Sequence, residues 1–123
     1  MSSRLGGRNN EVAVLPLDGD LDLARAAEVQ RAIRRVERRR PAVLVLDLRG
    51  ATFLDSTMLR LILSAHRRAT RAGRRLAVAL GSDVVRRIFR ITLLEWRLEI
   101  VDDPADVEPP DVRSRDHDVR NGR

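Results

Sequence analysis

Ala42-Val43-Leu44-Val45-Leu46 is an unbroken apolar run that begins directly after Pro41. A strand with one wet face alternates apolar and polar side chains. A continuous β-branched-rich run has no wet face, so it belongs in the middle of a sheet with cover on both sides. The chain must therefore supply neighbouring strands and covering helices. In Glu11–Leu17, Val12, Val14 and Pro16 alternate with Ala13, Leu15 and Leu17, which predicts a second, mostly buried strand. Pro16 has no N–H to give a ladder, so that strand should end there or lie at an edge. Leu76–Leu80 predicts a further buried strand stopped by Gly81-Ser82, and Leu98–Val101 a short strand or terminal segment.

Helical patterns fill the intervals. From Leu23 to about Arg39, Ala26, Val29, Ile33 and Val36 recur at helical spacing, with Arg25, Arg31, Arg34, Arg35 and Arg38 between them. That is one core stripe and one basic outer face, and Pro41 closes it. A second helix should run from about Ser56 to Arg71, with Leu59, Ile62, Leu63 and His66 on one face and Gly73 as terminator. A third should start from a Ser82 or Asp83 cap and carry Val84, Val85, Ile88 and Phe89. Asp18–Asp22 reads as a turn with Asp22 as an N-cap, and Arg49–Leu54 as a connection out of the central strand. Strands alternating with helices predict one α/β domain over residues 11–107. Residues 1–10 should be flexible, and the proline-bearing stretch 108–123 a disordered tail.

Composition removes most chemistry. The 24 basic residues are all arginine, against 18 acids, for a net charge of +6. Without cysteine there is no disulfide, thiol nucleophile or thiolate metal site. Without lysine there is neither a Schiff base nor a Walker phosphate loop. His66 and His117 are too far apart in sequence for a local metal motif, and no nucleophile elbow supports a hydrolytic triad. No metal, no cofactor and no enzymatic activity are expected. Met1–Asn10 lacks the apolar run of a secretory signal, and no segment is long and apolar enough to span a membrane, so a cytoplasmic protein is expected.

Asp18-Gly19-Asp20-Leu21-Asp22 opens like a calcium loop, then fails it, with Leu23 at the glycine position and Val29 at the bidentate glutamate position. The arginines invite nucleic acid through counterion release. They are, however, interspersed with Glu28, Glu37, Asp47 and Asp83, and Phe53, Phe89 and Trp96 make a poor stacking platform. Nucleic acid is not the expected partner. The segment Thr52-Phe53-Leu54-Asp55-Ser56-Thr57-Met58-Leu59 places an acid and two hydroxyls where a strand's exit becomes a helix. A helix N-terminus with its positive dipole end accommodates phosphate, while the same residues are also ordinary caps.

Several segments, in order and spacing, resemble the STAS family, in particular its bacterial anti-sigma factor antagonists. They are Gly19-Asp20-Leu21-Asp22, Val43–Leu48, Phe53-Leu54-Asp55-Ser56-Thr57, Ala65–Ala69, Gly73–Val78 and Val85–Phe89. The resemblance implies a single STAS-like domain with a mixed β-sheet of four to five strands and helices packed mainly on one side. It also implies a non-enzymatic module that binds an anti-sigma factor of the serine-kinase type. Phosphorylation of a hydroxyl in the Asp-Ser-Thr motif would stop binding, and a phosphatase would restore it. Ser56 and Thr57 match the hydroxyl pair, with Ser56 favoured because a serine kinase would select it. The partner-facing residues would be Asp20, Asp22, Asp55, Met58, Leu59 and Arg60.

Two departures from the family pattern stand out. Met58-Leu59-Arg60 replaces the Gly-Leu-Gly that usually follows the hydroxyls, and Leu93 stands near a further family glycine. Arg60, one turn beyond Ser56 and Thr57, is expected to pair with Asp55 or with an added phosphate. Two other functions fit the same residues. One is an unphosphorylated STAS subunit of a larger signalling or lipid-transport complex, and the other is an arginine-rich nucleic-acid-binding domain.

Overall fold

The computed structural model describes residues 10–110. The expectations for 1–9 and 111–123, His117 included, lie outside the described residues. In chain order the elements are β1 (Val12–Pro16), β2 (Gly19–Leu21), α1 (Ala26–Glu37), β3 (Val43–Leu48), β4 (Ala51–Leu54), α2 (Ser56–Arg71), β5 (Arg75–Leu80), α3 (Asp83–Ile91) and β6 (Glu99–Val101). Short 3-10 turns occupy Leu23–Arg25, Leu94–Trp96 and Pro104–Asp106.

The main sheet has the order β1-β3-β5-β6, and every pairing in it is parallel. Leu46, for example, lies opposite Leu15 on one side and Val78 on the other. All of β3 is buried, as its unbroken apolar run requires. Strand order advances in one direction, and each step is a crossover through one helix. Right-handed crossovers then put every helix on the same face. Val29, Ile33 and Val36 of α1, Met58, Ile62 and Ala65 of α2, and Val85 and Phe89 of α3 share one core with Leu44, Leu46, Leu48, Leu76, Val78 and Leu80. The opposite face, Val43, Val45, Ala77 and Ala79, is smaller and is covered by Val107 beyond the last 3-10 turn. This is the α/β fold expected.

Three details correct the sequence reading. Gly19–Leu21 and Ala51–Leu54, expected as turn and connection, pair in parallel as a separate two-stranded sheet. Strands of three and four residues are too short to show a period, and their partners lie about 30 positions apart. Val14, expected in a mostly buried strand, is 45% exposed because β1 both ends at Pro16 and forms the sheet's edge. The first helix starts as the 3-10 turn Leu23–Arg25 and becomes α-helical only at Ala26.

Helix ends follow local chemistry. Ser82 caps α3 by accepting from the Val85 N–H at 3.2 Å. Gly73, at φ +74°, lets the chain leave α2. Leu93 takes the corresponding left-handed conformation after α3, at φ 64° and ψ 16°. A leucine there carries strain on the order of 1–2 kcal/mol.

Candidate functional site

The small β2–β4 sheet builds the site. Its register sets Leu21 beside Leu54 and Asp20 beside Phe53, so the acids after β1 come to lie at the start of α2. Gly50, just before β4, packs so closely on Asp18 that a side chain there would collide with the carboxylate. Asp55 then turns the chain from β4 into α2. Its backbone is extended, its Oδ1 accepts from the Met58 N–H at 3.1 Å, and its Oδ2 accepts from the Leu23 N–H at 2.8 Å. Its own N–H donates to the Leu21 carbonyl at 3.2 Å. One aspartate thus caps α2 and ties it to the turn after β2.

The other acids are also engaged. Asp22 accepts from the Ala24 N–H at 3.1 Å, capping the 3-10 turn. Asp20 accepts from the Thr52 hydroxyl across the small sheet. Behind them the Arg25 guanidinium donates to the carbonyls of Asp18 and Asp20 and reaches Glu28 at 3.2 Å. The Glu28 hydrogen bond holds Arg25 above its ordinary pKa, and Arg25 holds the Glu28 carboxyl below its own. At the end of β3, Asp47 accepts from the Arg49 side chain at 2.9 and 3.0 Å and from the Arg49 N–H at 3.1 Å. These hydrogen bonds outweigh burial and hold the Asp47 carboxyl below the usual aspartate range.

The sequence-predicted residues separate by exposure. Ser56, first residue of α2, is exposed, and Thr57 is half-buried. Asp20 is exposed, while Asp22 and Asp55 are half-buried. Met58 corrects the sequence reading. It is 1% exposed and belongs to the core beneath the corner, so its side chain offers nothing to a partner. Leu59 is half-buried and packs on the same core. Arg60 is exposed and pairs with no described residue; its expected pairing with Asp55 is not formed, because backbone amides hold both Asp55 oxygens. His66 sits half-buried on α2.

Sequence reasoning missed Leu23 and Phe53 as surface residues. Leu23 is 69% and Phe53 43% exposed, one beside Asp22 and the other two residues before Asp55. Leu23 carried a signal: placed at the first turn of an amphipathic helix, it falls off the Val29–Ile33–Val36 stripe. Among the described residues no cluster of three or more His, Asp or Glu is arranged to hold a metal ion. No described helix is long and apolar enough to cross a membrane. Depressions of about 360 and 240 Å³ run along α1, lined chiefly by Arg31, Arg34, Arg35, Arg38, Arg68 and Arg74, and neither is lined by a residue of the corner.

An α/β sheet with its helices on one face, and a small second sheet at the start of α2, is the frame on which these residues sit. The STAS domain family matches residues 7–106. The chain belongs to that family. Over 87 residues it is 37% identical to the anti-sigma-F factor antagonist RsfB of Mycobacterium tuberculosis, covering 71% of this chain and 70% of the relative. Among solved structures it is similar to an anti-sigma factor antagonist from Mycobacterium paratuberculosis, with TM-score 0.68 and 22% identity over 91% of this chain and 88% of the other. It is also similar to the anti-sigma factor antagonist SpoIIAA in its unphosphorylated form, with TM-score 0.64 and 18% identity over 92% and 91%. At those identities the structural likeness bears on the fold alone. Within this STAS regulatory module the corner contains no histidine, and its acids are spent on caps and turns. Of the Ser56 and Thr57 hydroxyls, neither of which has a hydrogen-bond partner among the described residues, it exposes Ser56.

Proposed function

We propose that this STAS domain is a partner-switching antagonist that docks an anti-sigma factor through the corner at the start of α2, with Ser56 as phosphoacceptor. One observation carries the reading: the Ser56 side chain is exposed at the first position of α2, directly after the Asp55 cap. The similarity to RsfB, an anti-sigma-F factor antagonist, supports the partner class. The partner is a serine kinase type of anti-sigma factor acting in the cytoplasm, and a phosphatase resets the switch. Asp20, Asp22, Leu59 and Arg60 surround the docking point, while Asp55 and Met58 hold it from below.

Phosphorylation adds about −1.5 to −2 charges at neutral pH. The helix terminus favours that charge by about 0.3–1 kcal/mol, so the fold survives modification. A docked partner would instead meet the new charge together with Asp20 and Asp22, and desolvating them would weaken the complex. Arg60, four residues after Ser56, lies one helical turn away, within reach of the added phosphate, and would soften that penalty.

Titration calorimetry with candidate anti-sigma factors tests the reading, alongside intact mass after incubation with the same proteins and ATP. Binding that survives Ser56→Ala and is lost on phosphorylation is expected, as is a mass gain that Ser56→Ala abolishes and Thr57→Ala leaves. Failure of every candidate to bind, or a mass gain indifferent to Ser56→Ala, overturns it. Arg60→Gly should enlarge the phosphate penalty; an unchanged penalty removes Arg60 from the switch.

A further inference from the structure

The segment that leaves α3 carries chemistry the corner does not use. Ile91, at the end of α3, and Leu93 and Trp96, in the turn that joins α3 to β6, are 70%, 61% and 80% exposed. Leu94 and Leu98, between and after them, are buried and pin the turn to the core. The Trp96 N–H donates to the Leu93 carbonyl at 3.2 Å and the Leu93 N–H to the Arg90 carbonyl at 3.1 Å, so the turn is internally hydrogen-bonded. Leu93 holds a left-handed backbone that glycine would adopt without strain, and it shows its side chain to solvent. Neither packing nor backbone preference accounts for a leucine there.

The charges along this stretch are mostly positive. Arg87, Arg90 and Arg97 are exposed, and their guanidinium groups meet no hydrogen-bond or ion-pair partner among the described residues. Arg86 differs, being held by the Leu80 carbonyl at 2.8 Å and Asp102 at 2.6 Å. Glu95 is the one acid between Val84 and Leu98. A second copy of the chain would bring these arginines against each other. A counter-surface must instead be apolar at its centre and anionic around it. Tryptophan and aliphatic side chains on a protruding turn, flanked by unpaired arginines, match the depth profile of an anionic bilayer, whose phosphates lie above its hydrocarbon. By topology the tip and the corner also lie toward opposite ends of the main sheet's strands. α3 runs back from the carboxyl end of β5 to the amino end of β6, whereas α2 starts beyond the carboxyl end of β3.

We propose that the Ile91–Arg97 turn is a peripheral anchor that seats this STAS domain on an anionic lipid surface, leaving the Ser56 corner turned away from it. The apolar tip enters the interface, and Arg87, Arg90 and Arg97 contact lipid phosphates.

Trp96 is the only tryptophan in the chain, so its fluorescence reports the event directly. The intact protein is mixed with vesicles of phosphatidylglycerol or of phosphatidylcholine, and emission and co-sedimentation are followed. A blue shift on phosphatidylglycerol alone is expected, with binding roughly tenfold weaker for Trp96→Ala and for Arg90→Ala combined with Arg97→Ala. Leu93→Gly separates display from folding: it should raise Tm while weakening vesicle binding. Three results overturn the proposal. They are no blue shift at low salt, sedimentation indifferent to Trp96→Ala (adsorption through the arginines of α1), or no vesicle binding while Trp96→Ala weakens the anti-sigma factor complex (a protein-binding face).

Discussion

The corner at the start of α2 and the tip after α3 are both places where a helix meets a turn, and they are built on opposite terms. At the corner nearly every polar group has a partner: Asp55 serves two amides, Asp22 one, and Asp20 the Thr52 hydroxyl. Among the described residues, the Ser56 and Thr57 hydroxyls and Arg60 have no partner there, and of the two hydroxyls Ser56 is the exposed one. At the tip the backbone is strained at Leu93, the large side chains face water, and three arginines have no partner among the described residues. Under the proposed switch, a saturated frame would leave the added charge as the main change at the corner. An unsaturated tip has contacts still to make that no other described residue supplies.

The largest effect that would break this contrast concerns Met58. Buried under the corner, its replacement by alanine should cost about 2–5 kcal/mol in urea denaturation. A cost under about 0.5 kcal/mol, as for a surface residue, would place Met58 outside the core. Asp55→Ala comes next, at about 2 kcal/mol, because it strands the Met58 and Leu23 amides together. Asp55→Asn, which keeps acceptors, should recover part of it.

Leu93→Gly has the opposite sign. Relief of the left-handed strain, set against the greater freedom of an unfolded glycine, should stabilise by about 0.5–1 kcal/mol. A loss of stability would mean that the leucine side chain holds the turn in place.

Asp47 sharpens the comparison by pH. Its carboxyl is held below the ordinary range, so its contribution is present above the unfolded pKa and is lost as pH falls through the folded one. Arg49 is exposed, so solvent screening keeps the pair's contribution small. Wild type and Asp47→Asn should therefore differ in Tm at neutral pH and converge in acid. A gap that persists below both pKa values contradicts the assignment. Smallest of all, Trp96→Ala should change stability by less than about 0.5 kcal/mol.

Legibility followed the length scale of each signal. β3, α1 and α2 were readable because burial repeats along them: six consecutive buried residues in β3, and Val29, Ile33 and Val36 on one stripe of α1. The site was readable in part. Asp55 and Ser56 announce a helix start wherever they occur, yet nothing local says that Leu23 donates to Asp55 or that Met58 turns inward while Arg60 stays out. Nor does anything local say that Trp96 stays exposed while Leu94 and Leu98 take the inner positions.

Periodic apolar residues, prolines, glycines and caps act on near neighbours, and hydrophobic burial rewards them in any context that can supply a core. The alternation of strand and helix, and the chemistry excluded by missing lysine and cysteine, therefore follow from residue order. The pairing of β2 with β4, the joining of Asp55 to Leu23, and the separation of hydroxyl corner from apolar tip required the folded sheet. Those contacts link residues about 30 positions apart, and their stability comes from the register of strands rather than from any preference of the residues themselves.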